Sequence, residues 1–247
     1  MKIDILTLFP EIFQEMFKWS IIGRAVEKGY IHLNCINIRD FSNDKHRRVD
    51  DYSFGGGPGM VMKPEPIYSA IESVKNENSK VIYLSPKGEV YNQKLANFLS
   101  KEEHLILLCG HYEGIDDRIV DNYVDYEISI GDYVLTGGEI PAMVIVDSVA
   151  RLIPGVLGSE ESFVDESHYN GLLEYPQYTR PRTFNGYDVP SILLSGDHKK
   201  IEEWRKYQSL MTTYLRREDL LEKTNLTNEE KKLLKKVLDE INEKKKL

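Results

Sequence analysis

The sequence has few cysteines, no long apolar run and no excess of positive charge. Its 247 residues include only Cys35 and Cys109, which excludes a disulfide framework and a cysteine-based metal site. Both cysteines are expected to be buried strand residues. The longest apolar runs, such as residues 105–109, are far too short to cross a bilayer, and the opening residues lack a signal peptide's basic-then-apolar layout. These absences predict a soluble, cytoplasmic protein.

The net charge of −8 argues against general nucleic-acid binding, but the charge is unevenly distributed. Residues 199–247 contain fourteen Lys or Arg against ten Asp or Glu, which leaves a net charge of −12 on residues 1–198. A basic tail is typical of a protein that meets a polyanion at limited patches. A solvated helical face has the same composition, so both interpretations stay open.

Short apolar runs alternate with helical patterns along most of the chain. The predicted strands cover residues 2–8, 31–38, 81–84, 105–109 and 126–130. The predicted helices cover residues 11–19, 21–28, 93–99, 115–122 and 139–152, and a further helix starts at Pro64 after a long polar loop, residues 39–63. Strands that alternate with helices predict an α/β fold, a mostly parallel sheet flanked by helices with ligands at the carboxyl ends of the strands.

The periodicity disappears over residues 153–187, which are rich in Gly, Pro, Ser, Tyr and acidic residues. We interpret this part as a linker that orders on binding. Beyond it, Asp197 is placed to cap a helix at 199–216, and residues 227–230 form a capping box for a last helix. We therefore predict domains at 1–158 and 176–247, the second small and all-helical, joined by a flexible linker at 159–175.

Three of the predicted strands run into loops of small residues, at 85–88, 110–114 and 129–141. At one sheet edge these loops would form one pocket, and Lys87 is their only cation. Such a pocket favours an uncharged or cationic nucleoside, such as S-adenosylmethionine, over ATP. The sequence also lacks the dinucleotide, Walker A, nucleophile-elbow and zincin motifs. The alternative is that the glycines only permit tight turns.

Three polar clusters are candidates for function. The first two have two interpretations each, and the third suggests a reaction. His111, Glu113, Asp116 and Asp117 suggest a metal site, or acids that favour a helix start. The residues Lys45, His46, Arg47 and Arg48, before a glycine-rich run at 55–59, suggest phosphate contacts, or a solvated loop. An arginine near carboxylates suits proton removal from a nucleobase, and the candidates are Arg151 with Glu160, Glu161, Asp165 and Glu166.

Seven motifs, in order and covering nearly the whole chain, resemble those of bacterial tRNA (guanine-N1)-methyltransferases, the TrmD family of knotted SPOUT enzymes. They are DILTLFPEIF, RDF…DDYxFGGGPGM, VIYLSP, GHYEGIDDR, SIGDYVLTGGEIP, RLIPGVLG and GLLEYPQYTRP. The resemblance implies a deep trefoil knot on the C-terminal side of the methyltransferase domain. It also implies S-adenosylmethionine as cofactor, and a homodimer whose active sites are shared between subunits.

The resemblance further implies which residues bind the cofactor and which carry the reaction. The cofactor residues would be Tyr83, Leu84, Ser85, Pro86, Gly110, Tyr112, Glu113, Gly114, Ser129, Ile130, Gly131, Tyr133, Leu135, Gly137, Gly138 and Pro141. The reaction would be methyl transfer to N1 of guanosine 37, with Arg151 stabilising charge on O6. The family's base is an aspartate before a serine, a position that here holds Glu166, with Asp165 as the alternative. Mg²⁺ is expected of the family, but no motif here binds it independently.

For the RNA, the resemblance implies contacts by His46 and Asp50, by Tyr178, Thr179, Arg180 and Arg182, and by the C-terminal helices. The sequence departs from the family at Glu166, in place of an aspartate, and also at His168, where relatives often have phenylalanine. Two other hypotheses are a related enzyme that acts on another RNA or nucleotide, and a non-catalytic RNA-binding module that kept the fold.

Overall fold

The computed structural model of the protein describes residues 1–157 and 166–244. The chain divides into two compact units, Met1–Ser159 and Glu160–Leu247. Within the described ranges, no helix combines the length and the apolar character that crossing a bilayer requires. The predicted domain limits and the predicted flexibility of the linker stay predictions, and residues 158–165 of that region lie outside the described residues.

The first unit is built on the parallel sheet that the sequence predicts. The strands of this unit are β1 (Lys2–Thr7), β2 (His32–Asn37), β3 (Asp50–Asp51), β4 (Val61–Met62), β5 (Ser79–Val90), β6 (His104–Cys109) and β7 (Tyr126–Ser129). Five of them form one sheet in the order β2-β1-β6-β5-β7, and every neighbouring pair is parallel. The short strands β3 and β4 form a separate antiparallel pair within the predicted long loop.

Helices cover both faces of the sheet. They are α1 (Glu11–Met16), α2 (Ser20–Glu27), α3 (Pro64–Val74), α4 (Gln93–Leu99), α5 (Asp117–Tyr123) and α6 (Glu139–Ala150). Strand side chains alternate between the faces, so Ile5 packs with α1, α2, α4 and α6, whereas Leu6 packs with α3 and α5. Each fully buried Ile or Leu stabilises the fold by about 1.5–3 kcal/mol, and an apolar cluster covers each face of the sheet. The sheet is therefore stabilised on both faces, including the edge where its strands end.

Local signals set several helix ends as predicted. Helix α2 ends before Gly29, which has a φ of 73°. The side chains of Asn92 and Asp116 accept backbone N–H groups at the starts of α4 and α5. The prediction of a buried cysteine is right for Cys109 but wrong for Cys35, which is half-buried because β2 is an edge strand.

Strand β5 corrects a prediction, because residues 85–88 are part of a longer strand and not a loop that follows it. Leu84 and Glu89 both pair with Ile128 of β7, so the four residues between them bulge out of the ladder. The chain returns to the sheet at Gly88, where a Cβ atom would lie 2.4 Å from the carbonyl carbon of Glu127. The bulge places Ser85 and Pro86 at the carboxyl edge of the sheet.

The second unit contains three α-helices among its described residues, α7 (His198–Arg216), α8 (Glu218–Lys223) and α9 (Asn228–Lys244), and a short 3-10 helix at Ser191–Leu194. Leu210 of α7 packs with Leu233 and Val237 of α9 in a small core. The predicted caps are confirmed, since Asp197 accepts the N–H of Lys200 and Thr227 exchanges bonds with Glu230. A two-stranded hairpin, β8 (Thr183–Phe184) and β9 (Tyr187–Asp188), corrects the prediction of an all-helical domain.

Residues 166–174 form a turn that is attached to the helices of the second unit. Within the turn, the N–H of His168 donates to the carbonyl of Leu172, and the N–H of Glu174 donates to Ser167 Oγ. The turn is attached through Leu173, whose N–H donates to Thr213 Oγ1 and whose carbonyl accepts from Ser209 Oγ. The backbone that carries Glu166 is thus held by hydrogen bonds to α7.

Candidate active site

The three segments predicted to meet at one sheet edge surround a single cavity of about 1440 Å³. They are the bulge of β5 at residues 85–88 and the loops at 110–114 and 129–141. All sixteen residues that the resemblance assigns to the cofactor line it. The cavity is formed because β5, β6 and β7 are neighbours that end at the same edge. The prediction that these segments form one pocket is confirmed. The identity of its ligand stays a prediction.

The loops after β6 and β7 touch through their backbones. The N–H of Gly138 donates to the carbonyl of Gly110 over 2.9 Å, and His111 and Gly137 form a β-bridge. A Cβ atom on Gly138 would lie 2.6 Å from Cys109 Cα, closer than real contacts allow. Glycine is therefore required at 138 by close approach, not by an unusual φ, since Gly138 has a φ of −81°.

Tyr83 forms a buried part of the pocket wall. Its ring lies against Gly110, where an added Cβ atom would come within 2.9 Å of the ring. Burial, and then the negative charge of Glu127, raise the pKa of Tyr83 to about 12. The Tyr83 hydroxyl therefore stays neutral at physiological pH, where it serves as a hydrogen-bonding group and not as a base.

The glycine-rich run of residues 55–59 adjoins the same cavity. Gly55, Gly56, Gly57 and Gly59 all have positive φ, which other residues rarely adopt. Gly59 lies against Glu113, whose carboxylate would be 2.5 Å from an added Cβ atom, and the N–H of Glu113 donates to the carbonyl of Met60. The long loop between β2 and α3 is thus fastened to the wall of the pocket.

The charges that line the cavity favour a cationic ligand. The lining contains eight carboxylates and four cationic side chains. Three of these cations pair with carboxylates, Arg48 with Asp44, Lys63 with Asp51 and Arg118 with Asp116. Lys87 is the cation of the lining for which no ion pair was identified within the described residues. A triphosphate would need several uncompensated cations, so this lining fits a sulfonium cofactor better.

Comparison with known proteins decides the family. The sequence profile described as tRNA (Guanine-1)-methyltransferase TrmD matches residues 1–223. The chain belongs to this family. Among proteins named tRNA (guanine-N(1)-)-methyltransferase, one from Dictyoglomus turgidum is 58% identical over 243 residues, covering 98% of this chain and 99% of the relative. One from Carboxydothermus hydrogenoformans is 62% identical over 234 residues, with coverage of 95% and 92%.

Two residues that the TrmD resemblance assigns to the reaction fall within the described residues. Arg151 is half-buried and caps the C-terminal end of α6 in the first unit. Glu166 is half-buried in the second unit, and its carbonyl accepts the N–H of Tyr169. Asp165, the alternative base, lies outside the described residues, as do Glu160 and Glu161. The catalytic roles of Arg151 and Glu166 stay predictions.

The predicted basic loop has internal ion pairs. Arg47 bonds to Asp40, and Arg48 bonds to Asp44 with both a side-chain and a backbone contact. The hydrogen bond from Arg48 holds the pKa of Asp44 well below its usual range. The side chain of His46 is exposed and Asp50 is half-buried. These pairs order the loop, and an RNA phosphate would have to compete with the acids for Arg47 and Arg48.

The metal interpretation of the loop after β6 receives no support from the described part of the chain, which contains no group of three or more metal-binding side chains. Asp116 instead caps α5 and makes a two-point contact with Arg118. Asp117 lies in the first turn of the same helix, where negative charge is favourable. These acids serve the start of the helix, the alternative given by the sequence.

No sequence motif marks Thr7, Glu127 and Glu139 as site residues, yet these polar residues lie at or behind the cavity. Glu127 lines it, whereas Thr7 and Glu139 are buried and hydrogen-bonded to each other. The sequence offered two signals for this contact. Thr7 ends an apolar strand, and Glu139 follows two glycines. Neither signal says that the two residues meet, because 132 positions separate them.

Proposed function

We propose that the chain transfers a methyl group from S-adenosylmethionine to N1 of guanosine 37 of tRNA, next to the anticodon. The observation that carries the proposal is 58% identity over nearly full length to relatives named for tRNA guanine-N1 methylation. The cavity supports it, since its glycine contacts and its excess of carboxylates suit a cationic cofactor. A tRNA substrate also agrees with a cytoplasmic location.

The three loops would hold the cofactor through backbone groups and small residues. A Cβ atom on Gly110 would clash with the Tyr83 ring, and one on Gly137 would clash with Glu139 and His111, so glycine allows close packing of the pocket wall at both positions. Gly131 turns the chain with a φ of 141°. We infer that the loops form the family's deep trefoil knot. Support comes from the match of residues 1–223 to the TrmD family.

The chemistry requires that a proton leave guanine N1, which is a poor nucleophile while protonated. When bound, S-adenosylmethionine supplies an electrophilic methyl group on a sulfonium that leaves as a neutral thioether. Glu166 would accept the N1 proton as the N1–C bond forms and the C–S bond breaks. Arg151 would stabilise the negative charge that develops on O6. Only the family resemblance supports Mg²⁺, so no step is assigned to it.

A homodimer with shared active sites is part of the proposal. Several large apolar side chains are exposed in the single chain, among them Phe9, Ile12, Trp19, Val134 and Ile140. Trp19 is 70% exposed, and Val134, which lines the cavity, is 83% exposed. A second copy of the chain would remove them from water.

The assay that tests the proposal is transfer of a labelled methyl group to tRNA transcripts. We expect incorporation into a transcript with G36 and G37, and none when G37 is replaced by A. Methylation of another nucleotide would favour the related enzyme with a different RNA target. Binding of tRNA without binding of S-adenosylmethionine in calorimetry would favour the non-catalytic module and overturn the proposal.

The RNA contacts of the second unit predict a dependence on salt. Tyr178, Thr179, Arg180 and Arg182 are exposed, as a surface that meets RNA requires. Each phosphate contact releases bound counterions, so removal of one arginine should flatten the slope of log affinity against log salt by about 1. We therefore expect Arg180→Ala and Arg182→Ala each to weaken tRNA binding and to lower this slope.

Filter-binding titrations at several salt concentrations measure the slope. Lys94→Ala is the matched control, because Lys94 is an exposed lysine on α4 that does not line the cavity. Unchanged slopes for both arginine variants would contradict their assignment to the RNA interface.

A further inference from the structure

A buried carboxylate lies directly behind the cofactor pocket. Glu139 is the first residue of α6 and is only 5% exposed, and Thr7 at the end of β1 is fully buried. Thr7 Oγ1 donates a hydrogen bond of 2.8 Å to Glu139 Oε1. Because a buried carboxylate is costly without such partners, this contact constrains where the Glu139 side chain can lie.

The second oxygen of Glu139 faces the loop after β6. His111 Nε2 lies 3.6 Å from Glu139 Oε2, and His111 lines the cavity. The His111 ring also packs edge-on against Phe9, with 5.1 Å between centroids, and the N–H of Phe9 donates to Thr7 Oγ1. Glu139 therefore connects the carboxyl end of β1, the loop after β6 and the start of α6.

Gly137 lies in the gap between these side chains. A Cβ atom at Gly137 would lie 2.4 Å from Glu139 Oε2 and 2.6 Å from His111 Nε2. Gly137 lines the cavity, and so does Tyr112, which follows His111 in the chain with a strained φ of 60°. The carboxylate of Glu139 thus supports two segments of the pocket wall without lining the pocket itself.

We propose that Glu139 is a positioning residue for S-adenosylmethionine, which acts through His111 and Gly137 and is itself held by Thr7. The inference rests on the proposed function and adds a residue outside the cofactor-binding set. The alternative is that Glu139 only provides negative charge at the N-terminus of α6, where the helix dipole favours it. That role would affect folding stability and leave the shape of the pocket unchanged.

The test measures cofactor binding by calorimetry and steady-state kinetics with tRNA. Glu139→Gln keeps the side-chain shape but removes the charge, and Thr7→Val removes the hydroxyl that holds it. Each leaves a buried polar group with a poorer partner, so we expect the Kd and KM for S-adenosylmethionine to rise about tenfold. The KM for tRNA and the kcat at saturating cofactor should stay at wild-type values. Thr7→Ser, which keeps the hydroxyl, should restore binding.

Tyr91→Phe is the matched control. It removes a hydrogen bond of 2.7 Å between Tyr91 and Ser148, near the other end of α6, and Tyr91 does not line the cavity. We expect it to lower the Tm without raising the cofactor Kd. Glu139→Gln with wild-type cofactor affinity, or Thr7→Ser as weak as Thr7→Val, would overturn the inference. Should Glu139→Gln not fold, the Thr7→Val and Thr7→Ser pair decides by the same measurement.

Wild-type protein that binds no S-adenosylmethionine would overturn the proposed function, and this inference with it. Wild-type binding together with unaffected variants would overturn the inference alone.

Discussion

Replacement of Glu166 by glutamine is expected to slow methyl transfer by about 10²–10⁴-fold, the usual contribution of a general base. Glutamine has nearly the same shape as glutamate but cannot accept the N1 proton at neutral pH. The turn that carries Glu166 is held to α7 by backbone bonds through Leu173, so the substitution should leave the fold intact. Single-turnover assays with saturating S-adenosylmethionine and tRNA isolate the chemical step.

Two controls make the result specific to one carboxylate. Glu174→Gln removes an exposed carboxylate from the same turn and should retain wild-type activity. Asp165→Asn tests the neighbouring acid that the family resemblance leaves as the alternative base. A near wild-type rate for Glu166→Gln with an inactive Asp165→Asn would assign the base to Asp165. Glu166→Gln should also keep the wild-type Kd for S-adenosylmethionine, since the role proposed for Glu166 concerns the nucleobase.

The second large effect is expected for Gly138→Ala. The added Cβ atom would lie 2.6 Å from Cys109 Cα and 3.1 Å from the Gly110 nitrogen, and backbone atoms cannot move aside as a flexible side chain does. Such overpacking costs about 1–3 kcal/mol of unfolding free energy. The third loop should also separate from the second, and a displacement of about 1 Å in a binding site can cost about 10²-fold in rate.

Thermal unfolding measures the stability of Gly138→Ala, methyl-transfer assays measure its rate, and calorimetry measures its affinity for S-adenosylmethionine. Gly29→Asn is the matched control, because Gly29 ends α2 in a left-handed conformation with no atoms near its missing Cβ. Asparagine tolerates that conformation, so the control should keep the wild-type affinity for S-adenosylmethionine. A wild-type affinity in Gly138→Ala would mean that the contact between the two loops does not shape the pocket.

The alternation of apolar and helical segments was enough to predict the parallel sheet and its helices. Pattern and spacing are local properties, and local signals such as Asp197 and residues 227–230 set helix starts where the structure has them. The strand order β2-β1-β6-β5-β7 did not follow from these signals. The bulge at residues 85–88 was also missed, because it depends on how β5 pairs with β7.

The sixteen residues predicted to bind the cofactor come from motif resemblance, and the segments that contain them could also be predicted from their place at the ends of apolar strands. The contact between Thr7 and Glu139 could not be predicted, since neither residue belongs to a motif with a known distance to the other. Gly138 is a similar case. Its φ of −81° suits any residue, so only the nearby backbone of Cys109 explains the glycine.

The sequence by itself determined the α/β class, the helix caps, the family and the small-residue loops at one sheet edge. These follow from periodicity, capping chemistry and motifs, which act over a few residues or are copied between relatives. Only the tertiary structure decided that Glu139 meets Thr7 and His111, and that Gly138 touches the backbone after β6. Such contacts join residues far apart in the chain, and they exist only once the sheet order and the strand bulge have been set.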